Sequence, residues 1–261
     1  MGLEESYDQL MGESEILPTA KWPLIHNPVL IVLITIGYLY FILYAGPCYM
    51  KDRPPFKLKT FMLFYDVIQI LANAWIIKEF IAAGWFTIYG IQCTLPDSNS
   101  PSALHMFNIM WWVLLLKMFD YIETCVFVLR KKQNQVTFLH VYHHISVVFF
   151  AWYYLKYILD ERATLIPLVN CSIHVIMYIY YFIAGWSQEL QQVVSPFKPY
   201  ITRLQMVQFI GLILYVLQSA LPHCIVSEKI THIIPIFSAN LLVYLCLFYN
   251  FYRNTYNKKK P

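Results

Sequence analysis

Long apolar runs alternate with short polar connections along the chain. A helix needs about 20 residues, at about 1.5 Å each, to cross a bilayer. Apolar runs of that length lie near residues 28–48, 60–84, 104–129, 138–155, 164–185, 204–222 and 232–252. The pattern therefore predicts an all-α polytopic membrane protein with seven transmembrane helices.

The composition favours a membrane protein and excludes other classes. Hydrophobic residues make up 59% of the 261 residues and charged residues only 13%, whereas soluble domains carry about 25% charged residues. An aromatic content of 18% excludes intrinsic disorder, and six cysteines are too sparse for a secreted disulfide scaffold. Nothing in the chain indicates a nucleic-acid partner.

The placement of basic residues predicts the orientation in the membrane. Most Lys and Arg residues outside the apolar runs fall in segments 51–59, 130–132, 198–203 and 253–260, which share one side of the membrane. The positive-inside rule makes that side cytosolic, so the C-terminus is cytosolic and the N-terminus luminal. The predicted organisation is a luminal N-terminal tail (1–27), a seven-helix transmembrane domain (28–252) and a basic cytosolic tail (253–261).

Both ends of the chain carry features that predict how it is inserted into a membrane and in which membrane it resides. The first 27 residues are acidic and lack the basic segment of a signal peptide, so we expect the first span to insert and orient the chain. The lysines at 258–260 resemble the cytosolic dilysine signal that returns membrane proteins to the endoplasmic reticulum. The alternative is a basic anchor at the lipid headgroups. We favour the endoplasmic reticulum membrane.

Four consecutive runs carry polar residues at helical spacing, and such residues are costly in a bilayer unless they are paired or face a cavity. They are Lys117, Asp120, Glu123 and Thr124, then His140, His143 and His144, then Asn170, His174 and Tyr178, and finally Gln205 and Gln208. Hydrogen bonding between helices explains one such stripe well and four poorly. From the depth of the stripes we expect the helices to enclose one pocket that opens to the cytosol. Arg130, Lys131 and Lys132 at its mouth suit a polyanionic ligand.

Clustered histidines have two chemical uses, which are metal binding and the transfer of protons or acyl groups. Only four of the eight histidines fall near the expected pocket, too few for a di-iron centre of the membrane desaturase type. One metal held by three histidines stays open, although the spacing does not require it. We expect no metal and no cofactor. A metal-dependent membrane lipid oxidoreductase of the histidine-box type remains the alternative function.

The order and spacing of these motifs resemble those of the ELO family of very-long-chain fatty-acid elongases over about residues 50–255. The resembling segments begin at Lys117, Val128, Gln135, Asn170 and Thr202. Asp120 and Glu123 exchange the Glu and Asp that are usual in the family, and Asp66 stands where the family usually has Asn.

The resemblance implies the first step of fatty-acid elongation. An acyl-CoA condenses with malonyl-CoA, CO2 and CoA leave, and a 3-oxoacyl-CoA two carbons longer remains. It further implies membrane lipid and the other enzymes of the elongation cycle as partners, with a homo-oligomer left open. The sequence leaves the preferred acyl chain length and unsaturation open.

Two mechanisms fit this reaction. In one, an imidazole of the histidine box carries the acyl group, most plausibly that of His143; in the other, the histidines only move protons and stabilise charge. An enolate formed by decarboxylation needs preplaced donors. We assign catalysis to His140, His143, His144, His174, Asn170, Asp120 and Glu123, and substrate binding to Lys117, Arg130, Lys131, Lys132, Tyr178, Gln205 and Gln208.

The predicted topology puts Cys93 and Cys224 on the luminal side, where a disulfide is stable. We predict that they form a bridge between two luminal connections. The alternative is two free thiols that lie too far apart to bond.

Overall fold

The computed structural model describes residues 17–89, 100–219, 221, 224 and 228–256, with the side chains of 88, 89 and 228–230 left out of the description. Within these ranges the chain is helical and contains no strand. The acidic residues up to 16, Cys93 and the lysines at 258–260 lie outside the described residues. The predicted all-α class is therefore confirmed for the described part of the chain.

Ten α-helices make up the described secondary structure, joined by short π-helical and 3-10 segments. They are α1 Pro28–Tyr40, α2 Gly46–Met50, α3 Lys59–Ala82, α4 Pro101–Phe119, α5 Tyr121–Leu129, α6 Phe138–Tyr153, α7 Leu165–Trp186, α8 Gln188–Val194, α9 Lys198–Gln218 and α10 Glu228–Tyr256. The chain divides into two compact units. The first unit combines residues 1–58 with 98–161, and the second combines 59–97 with 162–261.

In the first unit, α1 begins with a capped and preorganised turn. The Asn27 side chain accepts a hydrogen bond from the backbone N–H of Val29, and Pro28 occupies the first helical position, where its missing N–H costs nothing. Most large apolar side chains of α1 are exposed, whereas Tyr38 is buried. A surface of this kind suits contact with lipid.

A π-helical segment, Phe41–Ala45, joins α1 to α2 and brings the backbone close to α5. A Cβ atom on Gly46 would lie 2.7 Å from both the carbonyl oxygen of Phe41 and the Cγ1 atom of Val128. Only glycine fits this approach without a shift of the neighbouring backbone.

The third predicted span is interrupted. Helix α4 ends at Phe119 and α5 begins at Tyr121, with a turn at Asp120 between them. Helix α6 packs against α4 and begins at a cap in which Thr137 Oγ1 accepts from the backbone N–H of His140, at 3.2 Å. The polar residues of the third span therefore do not share one continuous helix.

In the second unit, α3 packs along α7, and α9 packs against α7 and α10. Lys59 Nζ donates to the carbonyl oxygen of Trp186 at 2.7 Å, which ties the start of α3 to the end of α7. Arg203 Nε donates to the hydroxyl of Tyr252 at 2.7 Å and thereby links α9 to α10.

Five helical segments of the described chain are long and apolar enough to cross a membrane. They are Pro28–Met50, Lys59–Thr87, Glu161–Trp186, Gln188–Gln218 and Thr231–Tyr256. The remaining two predicted spans, 104–129 and 138–155, fall on α4, α5 and α6, which are not among these five. The chain is a multi-pass membrane protein, but the count of seven spans is not confirmed.

Candidate functional site

The three histidines at 140, 143 and 144, here called the histidine cluster, lie together near the start of α6. The ring centroids of His140 and His144 are 4.3 Å apart, and those of His143 and His144 are 5.5 Å apart. His144 is buried, whereas His140 and His143 are half-buried. The helical spacing i, i+3, i+4 that the sequence predicted is the cause of this grouping.

A threonine and a tyrosine from two other helices hold His140. Thr124 Oγ1 on α5 lies 2.8 Å from His140 Nε2, and the Tyr38 hydroxyl on α1 donates to the same Thr124 oxygen at 3.1 Å. Thr124 is fully buried and Tyr38 is 5% exposed. The histidine cluster is therefore linked by hydrogen bonds to α1.

Aromatic stacking fixes the position of Tyr38. Its ring lies parallel to that of Tyr121, with 4.1 Å between the centroids and 9° between the planes, and Thr35 Oγ1 lies 3.3 Å from the Tyr121 hydroxyl. Sequence analysis missed Tyr38. The one feature of the sequence that could have indicated Tyr38 is its spacing from Thr35, because residues i and i+3 place two polar groups on the same helix face.

A buried ion pair lies at the break between α4 and α5. Lys117 Nζ is 3.6 Å from Asp120 Oδ2, and the two side chains are 3% and 1% exposed. A buried charge is stable only when it is compensated, and in this pair each charge compensates the other. Glu123, the second predicted acid, is also buried and lies in the first turn of α5.

The basic residues at 130–132 form the end of α5. The backbone N–H of Lys132 bonds the carbonyl of Phe127 at 2.8 Å and that of Lys131 bonds Val128 at 3.0 Å, which is a Schellman ending. Lys131 therefore takes a left-handed conformation, with φ of 55°. Lys131 and Lys132 are exposed, and Arg130 is half-buried.

The second unit carries the predicted residues of α7 and α9. The His174 ring meets the Tyr178 ring edge-on at 5.8 Å, and Tyr178 meets Tyr65 of α3 in the same way at 6.0 Å. Gln205 Nε2 lies 3.6 Å from the sulfur of Met177. The remaining predicted residues are Asn170, which is half-buried, and Gln208, which is buried.

Three polar residues of α3, here called the α3 stripe, were missed as a group by sequence analysis: Asp66, Gln69 and Asn73. All three are buried. Gln69 Nε2 donates to the Tyr65 hydroxyl at 2.8 Å, and Asn73 Nδ2 donates to Gln69 Oε1 at 3.1 Å. Their spacing, i, i+3, i+7 within an apolar run, was the available signal.

The structure thus brings the predicted residues together in two sets, one in each unit. The first unit holds the histidine cluster with residues of α4 and α5, and the second holds residues of α7 and α9. That both sets line one pocket stays a prediction. Within the described residues, no group of three or more His, Cys, Asp or Glu side chains is arranged to hold a metal ion.

One of the two cysteines of the predicted bridge lies in the described part of the chain. Cys224 is disulfide-bonded, and Arg162 Nη1 donates to its sulfur at 3.6 Å. Cys93, its predicted partner, lies outside the described residues, so the pairing stays a prediction.

Comparison with known proteins identifies the family. Residues 23–261 match the ELO group described as the GNS1/SUR4 family. The chain is 35% identical to very long chain fatty acid elongase 1 of Mus musculus over 261 residues, which covers 97% of this chain and 90% of that protein. It is 34% identical to elongase 1 of Homo sapiens (92% and 85% covered) and 35% identical to elongase 4 of Mus musculus (92% and 76% covered). The chain belongs to the ELO family of very-long-chain fatty-acid elongases.

Proposed function

We propose that this protein condenses a long-chain acyl-CoA with malonyl-CoA to give a 3-oxoacyl-CoA two carbons longer, CO2 and CoA. The observation that supports this most is the histidine cluster, in which three imidazoles stand within one helical turn of each other in a chain of the elongase family. Neutral imidazole is both a nucleophile and a proton acceptor near neutral pH.

In the favoured mechanism, His143 is the acyl acceptor. Its ring nitrogen attacks the thioester carbonyl, and CoA leaves as the thiolate. The histidine is then an acyl-imidazolium. Malonyl-CoA loses CO2, and the resulting enolate attacks the acyl carbonyl carbon, so that neutral imidazole leaves and the histidine is restored. As a whole residue His143 is half-buried, whereas His144 is buried.

Supporting roles follow from the chemistry of the other residues. Asn170, His174 and Gln205 would donate hydrogen bonds to the enolate oxygen, since preplaced donors stabilise charge as it develops. Asp120 is paired with Lys117, and Glu123 is the second acid available to orient the histidines.

Substrate binding would use the cationic and polar residues near the cytosolic ends of the helices. Arg130, Lys131 and Lys132 suit the phosphates of CoA, because their charges stand at an exposed helix end. Tyr178 and Gln208 would contact the substrate at a greater depth in the membrane than these basic residues do. We further propose an endoplasmic reticulum location with a luminal N-terminus, and the other enzymes of the elongation cycle as partners.

A product assay tests the proposal. Membranes containing the protein are incubated with labelled malonyl-CoA and a panel of acyl-CoAs of different length, and labelled product two carbons longer is expected with at least one of them. His26→Ala is a suitable control because His26 is exposed, lies before α1 and has no role in the proposed mechanism. The absence of extended product across the whole panel would refute the condensation.

A second measurement separates the two mechanisms. With acyl-CoA alone, the covalent mechanism predicts release of free CoA, up to one equivalent, and a gain of acyl mass on the peptide that contains His143. The release of CoA only after malonyl-CoA is added would favour the mechanism without an acyl-enzyme.

A further inference from the structure

We propose that Tyr38 and Thr124 are positioning residues that hold His140 as the tautomer protonated on Nδ1, which removes His140 from the candidates for the acyl acceptor. This inference rests on the proposed function for its catalytic meaning. Its structural part, the tautomer, can be tested without any activity.

The direction of the first hydrogen bond follows from burial. Tyr38 is 5% exposed, and within the described chain Thr124 Oγ1 is the one hydrogen-bond partner of its hydroxyl, at 3.1 Å. A buried hydroxyl that does not donate carries an uncompensated desolvation cost. Tyr38 therefore donates its proton to the Thr124 oxygen.

The direction of the second hydrogen bond follows from the first. A threonine hydroxyl has one proton to donate and two lone pairs that accept. Among the described residues, Thr124 Oγ1 bonds only Tyr38 and His140 Nε2, and Thr124 is fully buried. The Thr124 oxygen already accepts from Tyr38, and its own buried proton has no other acceptor among the described residues, so that proton goes to His140 Nε2.

The acceptor role of Nε2 determines where the ring proton sits. A neutral imidazole carries one N–H and one lone pair, so an Nε2 that accepts leaves the proton on Nδ1. The Nε2 lone pair accepts the hydrogen bond from Thr124, and the protonated Nδ1 has no free lone pair. His140 therefore cannot attack a thioester without first breaking the bond to Thr124, which leaves His143 and His144 as the candidates.

Packing fixes the ring in this orientation. The centroid of the His140 ring lies 5.5 Å from that of Phe127 and 4.3 Å from that of His144. The stacked pair of Tyr38 and Tyr121 holds α1 against α5, so the donor stays aligned with Thr124. The arrangement positions His140 beside His144.

Four variants test the role. Tyr38→Phe keeps the stacked ring but removes the donor, Thr124→Val removes the hydroxyl at nearly constant shape, and Thr124→Ser restores it. The matched control is Tyr121→Phe, which removes a hydroxyl from the other ring of the same stacked pair and breaks the contact with Thr35, 3.3 Å away. That contact does not include His140.

Kinetics give the first readout. A hydrogen bond of ordinary strength corresponds to about a fivefold change in rate. We expect kcat to fall about fivefold in Tyr38→Phe and more than about tenfold in Thr124→Val, with KM within about twofold. Thr124→Ser and Tyr121→Phe should keep kcat within about twofold of the starting protein. Equal losses in Tyr38→Phe and Tyr121→Phe would overturn the role.

NMR of the protein labelled in its histidine rings gives the second readout, with His140→Asn to assign the signal. We expect a non-protonated Nε2 at His140 in the starting protein and in Tyr121→Phe, and a mixture of tautomers in Tyr38→Phe. A protonated Nε2 at His140 in the starting protein would refute the inference, whether or not the protein condenses acyl-CoA. A failed condensation assay with the expected tautomer would refute the proposed function alone.

Discussion

Each unit contains a buried polar cluster in an apolar setting, and the two clusters differ in how completely their polar atoms are paired. In the first unit, Tyr38, Thr124 and His140 form a continuous chain of hydrogen bonds. In the second unit, the α3 stripe leaves Asp66 Oδ1 and Asn73 Oδ1 without a hydrogen-bond partner among the described residues, although both are buried. A paired cluster fixes the positions of protons, whereas unpaired acceptors cost stability.

The two clusters differ in whether their hydrogen bonds join different helices or residues of one helix. The links in the first unit join side chains from three helices, and Tyr38 and Thr124 are 86 residues apart in the chain. The links of the α3 stripe join residues one helical turn apart on a single helix. Neighbours on one helix can pair only some of their polar atoms, so the rest depend on partners from elsewhere.

The largest expected effect tests whether both units carry chemistry. His143→Ala in the first unit and His174→Ala in the second should each lower condensation by more than about 100-fold, because each removes an imidazole that has its own role in the proposed mechanism. Protein abundance should stay close to that of His26→Ala, measured on the same membranes. A rate near that of the control in either variant would assign the chemistry to the other unit alone.

The second prediction tests the unpaired acceptors by stability. Asp66→Ala removes a buried carboxyl that has an unpaired oxygen, so thermal unfolding of the purified protein should show a gain of about 1 kcal/mol. Asn73→Ala lies on the same face of the same helix but breaks hydrogen bonds to Gln69 at 2.8 and 3.1 Å. It should lower stability by about 1–2 kcal/mol.

The two alanine variants are each other's control, since both shorten a buried polar side chain of α3. Equal destabilisation in both would show that the Asp66 carboxyl has a hydrogen-bond partner in the folded protein. The contrast between the two clusters would then disappear.

Hydrophobic periodicity predicted the bounds of a helix well where the local sequence alone determines where the helix begins and ends. The run 60–84 corresponds to α3, Lys59–Ala82, and the run 164–185 to α7, Leu165–Trp186. The grouping of the histidine cluster also followed from spacing alone, because residues i, i+3 and i+4 share a face.

Features that depend on contacts between distant segments could not be predicted in this way. The π-helical segment Phe41–Ala45 leads into the close approach at Gly46, which involves Val128. The turn at Asp120 accompanies its ion pair with Lys117. The role of Tyr38 requires α1 to lie against α5, and a local pattern carries no information on that packing.

The smallest expected effect concerns the end of α5. Lys131 has φ of 55°, a left-handed conformation that costs a residue with a Cβ atom about 1 kcal/mol and costs glycine little. Its Nζ also donates to the carbonyl of Lys51 at 3.3 Å, but this contact is exposed and contributes little. Lys131→Gly should therefore raise stability by about 0.5–1 kcal/mol.

Lys132→Gly is the matched control, because Lys132 has φ of −93° and gains nothing from glycine. Each variant removes one positive charge from the same exposed helix end. If these lysines bind the phosphates of CoA, both variants should raise KM for acyl-CoA by about two- to fivefold with little change in kcat. An unchanged KM in both variants, measured on correctly inserted protein, would restrict these charges to setting the membrane topology. A rise in KM with Lys131→Gly alone would instead assign the phosphate contact to the Lys131 side chain, since glycine keeps the left-handed turn and the control removes an equal charge one residue away.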